Sequence, residues 1–569
     1  MKKVSVIIDN QKIIANEGEN FLQIAIDQGI EIPHFCYHED LPVEARCRTC
    51  LVEILPDKKI VTSCTLKAVS GMEIRTKSEK LSRLRKENME LLLSNHRENC
   101  PNCQNKLYCP VGEKIKEFRL KLKYRSERIN KPIHKMATAA EIDPNACIAC
   151  NNCVLMCQRI GVGFLKLEGH GSQVHATYKK DPEVDCIYCG QCTAHCPVNA
   201  AREQSQIAEV EKALKDKNKI VIAQAAPSIR TTIGEGFDRP SGENLTGEMY
   251  TAMRRLGFDY IFDVNMGADI TTVVEAKELA KRLKGSGKLP MFTSCCPGWV
   301  KFVEFYHPEL IGNLTTARSP QIHSGGAYKS WWAEKMKIDP KKIIVVSIMP
   351  CTSKKYEANN RDLFIGKLKP VDFVLTTREF ITLLKKHDID LPKLEESEVD
   401  QFGEYSGAGA IYGASGGVME SALRSAYFNI TGQELDRVEF SAVRGMKGVK
   451  RAEVDFGGRK IKVAVAATVA NAKILISEIK KNPNAYDYIE VMACPGGCIG
   501  GGGQPVSGTN RIIEKRIEGL YKIDGQMKIR KAHQNPIVKD YFENYIKNIS
   551  PKKSNQLLYR KYKKKNKFY

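Results

Sequence analysis

No stretch of this sequence approaches the roughly 20 consecutive apolar residues that a membrane helix needs. The first residues, MKKVSVIIDN, lack the apolar run and small-residue cleavage site of a secretory signal. A soluble, cytoplasmic chain with no membrane partner is expected. There is no zinc finger, RRM signature or other nucleic-acid-reading module either, so nucleic acid is not an expected partner. GAGAIYGASGG, from Gly407 to Gly417, fails the G-x-G-x-x-G spacing of a dinucleotide loop, which leaves the chain without a flavin or nicotinamide module of its own. Acidic residues are in deficit: 66 Asp and Glu against 88 Lys and Arg give a formal charge of +22. Positive potential speeds encounter with an acidic protein. The one dense basic run, RKYKKKNKFY at the C-terminus, reads as a solvated or disordered tail.

Cysteine, by contrast, is abundant. A chain of 569 residues exceeds one hydrophobic core and implies several domains. In a reducing cytosol its 20 cysteines, clustered at gaps of two and three, point to thiolate-bound metal rather than disulfides. Two β-rich runs joined at Asp9-Asn10, then an amphipathic run from Phe21 to Asp27, read as hairpin and helix. Cys36, Cys47, Cys50 and Cys64 follow in a C-x10-C-x2-C-x13-C pattern, and the module resembles a [2Fe-2S] ferredoxin fold. Its long first gap departs from the plant-type spacing and is similar to the domain opening the large iron-sulfur subunit of respiratory NADH dehydrogenase. A four-cysteine zinc site is the plainer alternative. Next, His96, Cys100, Cys103 and Cys109 form H-x3-C-x2-C-x5-C; alone this suits a zinc knuckle, but after such a domain it resembles the [4Fe-4S] site of the same respiratory subunit.

An internal repeat, CIACNNCVLMC and CIYCGQCTAHCP, has the C-x2-C-x2-C-x3-C spacing of bacterial two-cluster ferredoxins, in which the fourth cysteine of each run serves the other cluster. That resemblance assigns Cys147, Cys150, Cys153 and Cys196 to one cluster and Cys186, Cys189, Cys192 and Cys157 to the other. Gln158 stands where the usual motif has proline, whereas the second copy keeps Pro197.

From Lys219 the pattern changes to β-branched runs such as IIVVSIMPC and IKVAVAATV between helical segments, the mark of α/β layers with buried parallel strands. The remaining cysteines, Cys295, Cys296, Cys351, Cys494 and Cys498, sit where such strands end, and open α/β sheets bind ligands outside the carboxyl ends of their strands. TSCCPGWV, MPCTSKKYEA and MACPGGCIGGGGQP resemble the three signature segments of [FeFe]-hydrogenases, and the order of the preceding modules is that of the large clostridial type.

The resemblance implies an H-cluster, one [2Fe-2S] and three accessory [4Fe-4S] clusters. Cys296, Cys351, Cys494 and Cys498 would bind its [4Fe-4S] part, with Cys498 bridging to a diiron site that carries CO, cyanide and an azadithiolate. Lys354, Pro227 and Ser228 would contact the cyanides; Gln321, Met349 and Met492 would line the pocket. The glycines around Cys498 would let backbone approach the cluster. Cys295, Glu275, Thr315, Glu278 and Arg282 would carry protons. Without the resemblance Glu278 and Arg282 are an ordinary i, i+4 helix pair, Lys354 a surface lysine and the methionines core filler. The implied reaction is 2H+ + 2e- to and from H2, with ferredoxin or another acidic one-electron carrier as electron partner and maturation proteins supplying the diiron site. The alternatives are the catalytic subunit of an electron-bifurcating, NAD-linked complex, and a non-catalytic iron-sulfur assembly or sensor relative. The expected organisation is a β-grasp ferredoxin-like domain (1–78), a small domain holding a [4Fe-4S] cluster by one histidine and three cysteines (79–125), a two-cluster ferredoxin domain (138–208), an α/β catalytic domain with parallel sheets (215–510), and a small-subunit-like segment with its basic tail (511–569).

Overall fold

Alternating apolar residues in KVSVII and QKIIAN form the hairpin β1 (Lys3–Ile8) and β2 (Gln11–Asn16). Its turn residues Asp9 and Asn10 take φ of 46° and 69°, the left-handed backbone that two-residue hairpins require. The computed structural model describes residues 2–94, 96, 110–121, 131–505 and 508–567. With β3 (Leu51–Leu55), β4 (Lys59–Thr62) and β5 (Glu73–Arg75) the hairpin makes a five-stranded sheet of order β2-β1-β5-β3-β4, in which only β1 and β5 run parallel. Helix Phe21–Asp27 packs Phe21, Leu22, Ile24 and Ala25 against Val4, Val6 and Ile8; full burial of such side chains is worth about 1.5–3 kcal/mol each.

Helix Glu79–Leu93, N-capped by Ser78, leads away from this sheet. The paired cysteine runs lie in a small unit built from β6 (His134–Met136), β7 (Ala140–Ile142), β8 (Leu165–Glu168), β9 (His175–Tyr178) and β10 (Ala201–Glu203), with helix Asn152–Ile160 between β7 and β8. Cys100, Cys103 and Cys109 lie outside the described residues.

Two four-stranded sheets organise the remainder. The first, from β11 (Ile220–Ala225), β12 (Tyr260–Asp263), β14 (Ile343–Met349) and β15 (Phe373–Thr376), is parallel throughout, in the order β12-β11-β14-β15. The second, β13 (Met291–Phe292), β18 (Tyr488–Met492), β17 (Arg459–Ala467) and β16 (Val449–Phe456), corrects the expectation of parallel sheets. There β16 and β17 are an antiparallel hairpin turning at Gly457 and Gly458, both with positive φ. IKVAVAATV is therefore antiparallel to β16 on one side and parallel to β18 on the other. Because β17 is covered on both faces, its apolar run carries no sign of strand direction. Among the described residues no helix is long and apolar enough to cross a membrane.

The C-terminus brings a second correction, since the basic run is not a free tail. After helix Pro551–Leu558 the chain lies along residues 314–318: Arg318 N–H donates to the Leu558 carbonyl (3.1 Å) and Arg560 N–H to that of Thr316 (2.8 Å). Lys565 N–H donates to Glu304 O (2.9 Å), and Lys563 pairs with Asp362 (2.8 Å). Three of the six positive charges in the run, on Arg560, Lys563 and Lys565, lie by carboxylates of distant segments, and the backbone completes an open edge.

Glycines fix how closely the unit with the paired cysteine runs meets the two larger sheets. A Cβ on Gly502 would lie 2.3 Å from the Cys189 carbonyl oxygen, and one on Gly190 2.3 Å from Thr352 Oγ1. Gly502→Ala is therefore expected to cost about 1–3 kcal/mol by overpacking, read as a lower midpoint of thermal unfolding, with a smaller effect for an alanine at Gly525, where nothing lies within 4 Å.

Candidate active site

Four strands of the two sheets end at one cavity. β11 leads into Pro227, β13 into Cys295 and Cys296, β14 into Cys351 and Lys354, and β18 into Cys494 and Cys498, and all of these line it with Gln321, Met349 and Met492. Ser228 lies just behind, against Gly413. Of the glycines near Cys498, Gly497 and Gly501 line the cavity. Gly500, Gly502 and Gly503 instead abut Pro495, Cys189 with Gly190, and Thr376 with Pro350, so much of that run serves packing between segments rather than approach to a cluster.

Every described cysteine is a free thiol. Burial raises the thiols of Cys296, Cys494 and Cys498 above the ordinary range, and the charges of neighbouring cysteines add to it. Four such sulfurs ionise together only if positive charge sits among them. Two buried polar atoms beside the cavity, Ser228 Oγ and Gln321 Oε1, have no hydrogen-bond partner among the described residues. A thiolate-bound cluster bearing polar ligands fits this donor set.

Lys354 is buried rather than superficial. Its Nζ donates to the Cys295 carbonyl (3.0 Å) and to Glu357 Oε2 (2.9 Å). Burial works against its charge, but Glu357 and the nearby thiols outweigh that and raise its pKa. The same Glu357 oxygen accepts from Ser319 (2.7 Å) and Gln321 Nε2 (2.8 Å), so one carboxylate orients two of the residues expected in the pocket. Sequence reasoning missed Glu357, although it stands three residues after Lys354 on helix Ser353–Ala358, the spacing at which helical side chains meet.

Helix Val264–Leu283 carries Glu275, Glu278 and Arg282. Glu275 is completely buried; Tyr488 Oη donates to its Oε1 (2.7 Å), while Oε2 has no hydrogen-bond partner among the described residues. Burial raises its pKa to about 8. Cys295 is likewise raised by burial, then by the charge of Glu275. Glu278 Oε2 accepts from Thr315 Oγ1 (2.8 Å), Thr316 Oγ1 (2.9 Å) and Thr316 N–H (2.9 Å); its Oε1 accepts from Arg282 Nη2 (2.5 Å). The helix ion pair and the threonine contact thus coexist on one carboxylate. Thr316 and Tyr488 were not singled out from sequence: Thr316 adjoins a residue that was, and nothing in the pattern of β18 marks Tyr488.

The other cysteines also come together. Cys36 Sγ lies 3.4 Å from Cys47 Sγ, and Cys50 is hydrogen-bonded to Cys64. Cys147, Cys150, Cys153 and Cys196 line one small cavity and Cys157, Cys186, Cys189 and Cys192 another, which is the crossed grouping expected of the repeat. His96 Nδ1 donates to the Ala146 carbonyl (2.9 Å), next to Cys147. That bond leaves the lone pair on Nε2.

Residues 219–502 match the family described as iron only hydrogenase large subunit, C-terminal domain. Residues 1–79 match a 2Fe-2S iron-sulfur cluster binding domain, 146–200 a 4Fe-4S dicluster domain and 510–565 the iron hydrogenase small subunit. The chain is 37% identical to iron hydrogenase 1 of Clostridium pasteurianum over 98% of this chain and 100% of that one. It belongs to the [FeFe]-hydrogenase family. The NADP-reducing hydrogenase subunit HndD of Solidesulfovibrio fructosivorans is 36% identical over 99% of this chain and 100% of its own. The solved [FeFe]-hydrogenase HydA1 of Chlamydomonas reinhardtii superposes with a TM-score of 0.56 at 37% identity, covering 63% of this chain and 99% of that chain. The chain is thus a hydrogenase with an H-cluster domain and accessory 2Fe-2S and 4Fe-4S domains.

The buried Glu275 gives this hydrogenase a pH signature. Its folded pKa of about 8 lies above the ordinary value near 4.3, so the folded state binds the extra proton between them. Its contribution to stability is complete below about pH 4 and is lost as pH rises through about 8. Glu275→Gln cannot ionise. Relative to that variant, the wild type should unfold at progressively lower temperature from about pH 4 to about pH 8, with no further change above that; parallel thermal-midpoint curves would contradict this.

Proposed function

We propose that this hydrogenase holds its H-cluster through Cys296, Cys351, Cys494 and Cys498, moves protons by way of Cys295, Glu275, Thr315 and Glu278, and exchanges electrons with an acidic ferredoxin-like carrier in the cytoplasm. The observation that carries the reading is the convergence of four strand ends on one cavity holding those four thiols, a fifth thiol and a charged lysine. When bound, the diiron group supplies an open iron position and a basic amine at which H2 is cleaved into, or assembled from, protons and electrons.

The chain's own residues then have separable tasks. Cys498 would tether the diiron part, and Lys354, kept cationic by Glu357, would offset the negative charge of its ligands. Cys295, whose thiol holds its proton at neutral pH, exchanges that proton with the pocket on one side and with Glu275 on the other. Glu275 is protonated up to about pH 8 and passes the proton toward Thr315, whose hydroxyl reaches Glu278. Arg282 is a positioning residue: a guanidinium does not deprotonate in a protein, and its other N–H groups fasten it to the carbonyls of Lys288, Asn313 and Leu314.

For electrons, the charge of Cys47 is felt at Cys150, that of Cys192 at Cys153, and that of Cys189 at Cys494. This electrostatic proximity supports a sequence from the [2Fe-2S] module through the two [4Fe-4S] clusters to the H-cluster. His96, beside Cys147, would bring in the histidine-ligated [4Fe-4S] cluster as a second branch, with Cys100, Cys103 and Cys109. On this reading the chain holds close to two, four, four, four and six irons in succession, about twenty in all.

A second reading, a subunit of a nicotinamide-linked complex, is favoured by the full-length likeness to an NADP-reducing hydrogenase subunit. Purification of the native assembly separates the two: a flavin-bearing partner, with H2-dependent NAD(P)+ reduction, supports the complex.

Cys498→Ser should abolish H2 turnover and the CO and cyanide infrared bands while the electron paramagnetic resonance of the accessory clusters persists; near wild-type turnover after identical maturation would remove Cys498 from the site. Glu278→Gln keeps size and hydrogen bonding but deletes the titratable step. H2 evolution with a non-physiological reductant should fall by about 10²-fold or more, and Thr315→Val should also slow it. Were Glu278 only half of a structural ion pair, the loss would be confined to about 1 kcal/mol of stability, with turnover intact.

A further inference from the structure

Residues 314–318 hold both threonines that bond to Glu278, and what fixes this segment is divided between two distant parts of the chain. On its inner side Thr315 N–H donates to the Phe292 carbonyl (2.8 Å), extending the edge of β13. On its outer side the backbone-to-backbone bonds come from the C-terminal residues 558–562; in addition the side chains of Arg282, Ser294 and Thr271 donate to the carbonyls of Leu314 (2.7 Å), Ala317 (3.2 Å) and Arg318 (3.3 Å), and Arg318 Nη1 donates to that of Leu363 (2.7 Å). Leu558 accepts from Arg318 N–H (3.1 Å), and Arg560 N–H donates to the Thr316 carbonyl (2.8 Å), with Ala317 and Tyr559 paired as an antiparallel bridge. Tyr559 O accepts from Arg318 Nε (3.0 Å), and Tyr562 Oη donates to the Thr315 carbonyl (2.7 Å).

We infer that residues 559–565 form a strap that positions the Glu278 proton station, with Tyr562 and the Arg560 backbone as its working contacts. This role rests on the proton route proposed above and adds to it a part of the chain that makes no contact with Glu278 by hydrogen bond. Thr315 and Thr316 direct three donors to one carboxylate oxygen, and three donors converge on one atom only while the backbone carrying them keeps a single conformation. The strap takes the carbonyls of these same two residues, Thr315 through Tyr562 and Thr316 through Arg560. Remove it and a short extended segment is left with its outer backbone edge unpaired, held by the Thr315 bond to β13 and by side-chain bonds to the carbonyls of Leu314, Ala317 and Arg318, none of which fixes the carbonyls of Thr315 and Thr316.

The strap is itself anchored away from the relay. Lys565 N–H bonds to Glu304 O, Lys563 pairs with Asp362 (2.8 Å), Lys567 bonds to the Asp181 carbonyl, and Arg560 Nη1 lies 3.8 Å from Glu357 Oε1. Its position is thus set by the catalytic domain and by the two-cluster unit. The titratable and charged groups around Glu278 are Glu275 and Arg282 on its own helix, and Tyr559 and Tyr562 on the strap. Tyr562 is assigned to positioning because its hydroxyl is engaged with a backbone carbonyl, which takes no proton from it.

The test uses the full-length, matured enzyme and three substitutions. Tyr562→Phe deletes one hydroxyl; Arg560→Pro deletes the N–H that reaches Thr316; Arg560→Ala keeps that N–H and controls for the lost guanidinium. Amide hydrogen exchange is followed by mass spectrometry in peptides spanning residues 314–318, alongside H2 evolution as a function of pH, its solvent isotope effect, and the CO and cyanide infrared bands. With the strap in this role, Tyr562→Phe and Arg560→Pro speed exchange in those peptides and slow turnover by about tenfold, the order of effect expected when a reacting group shifts by a fraction of 1 Å. They also raise the isotope effect and displace the pH profile, with infrared bands unchanged and Arg560→Ala nearer the wild type.

Unchanged exchange, faster exchange with wild-type turnover and pH profile, or shifted infrared bands would each overturn the inference. Glu278→Gln, measured in parallel, keeps the two levels apart. If it is inactive while the strap variants behave as wild type, the relay stands and the strap has no part in it. If it is active, the relay reading itself fails and the strap's role falls with it.

Discussion

Negative charge in a dry cavity is the constraint on which the rest of this structure depends. Four cysteines face one buried space, and the thiols of Cys296, Cys494 and Cys498 are harder to ionise for being buried there and for having charged sulfurs beside them. A cluster supplies compensating charge from within; the protein supplies the rest from the wall. Lys354 is the cation, and it stays charged because Glu357 lies 2.9 Å away. Glu357 in turn holds Ser319 and Gln321. Removing one member of such a set leaves another buried group unpaired, which costs more than the lost contact itself. The pocket is therefore a linked set of polar decisions inside an apolar shell rather than a collection of independent contacts.

The same centre must exchange electrons and protons without sharing a route, and the fold separates them by element. The ends of β14 and β18 turn toward the two-cluster unit, where Gly502 and Gly190 bring backbones within distances that no side chain tolerates. Cys189 is close enough there for its charge to be felt at Cys494. On the proposed route protons leave from Cys295, at the end of β13, toward helix Val264–Leu283. Close packing serves the first path, because electron transfer needs proximity and no mobile atoms. The proposed second path needs hydroxyls and carboxyls: Glu275 and Glu278 stand three residues apart on that helix, and Thr315, from another segment, reaches Glu278 (2.8 Å).

What was legible in the sequence follows from how local each signal is. The Asp9-Asn10 hairpin, the helix from Phe21 to Asp27 and the paired cysteine runs are each specified within a dozen residues, and each is found where the pattern put it. The cysteines after β13, β14 and β18 were legible because strand ends are marked by the close of an apolar run. The direction of β17 relative to β16 was not, since an apolar run buried on both faces, as in β17, reads the same in either sense. Tyr488 and Tyr562 were invisible for a different reason: their partners, Glu275 and Thr315, lie more than 200 residues away, and no short pattern encodes such a meeting.

The basic C-terminal run shows how composition alone misleads. Lysines in sequence repel one another and favour solvent, which is why RKYKKKNKFY reads as a free tail. That argument holds only while no opposite charge is arranged to receive them. Asp362, Glu304 and Glu357 belong to three segments that the fold gathers, and between them run the unpaired carbonyls of residues 315 and 316. A basic strand with N–H groups to donate and lysines to pair satisfies both demands at once. The net charge of +22 is accordingly not all available to an acidic electron carrier: part of it is spent inside the molecule, holding the segment that holds Glu278.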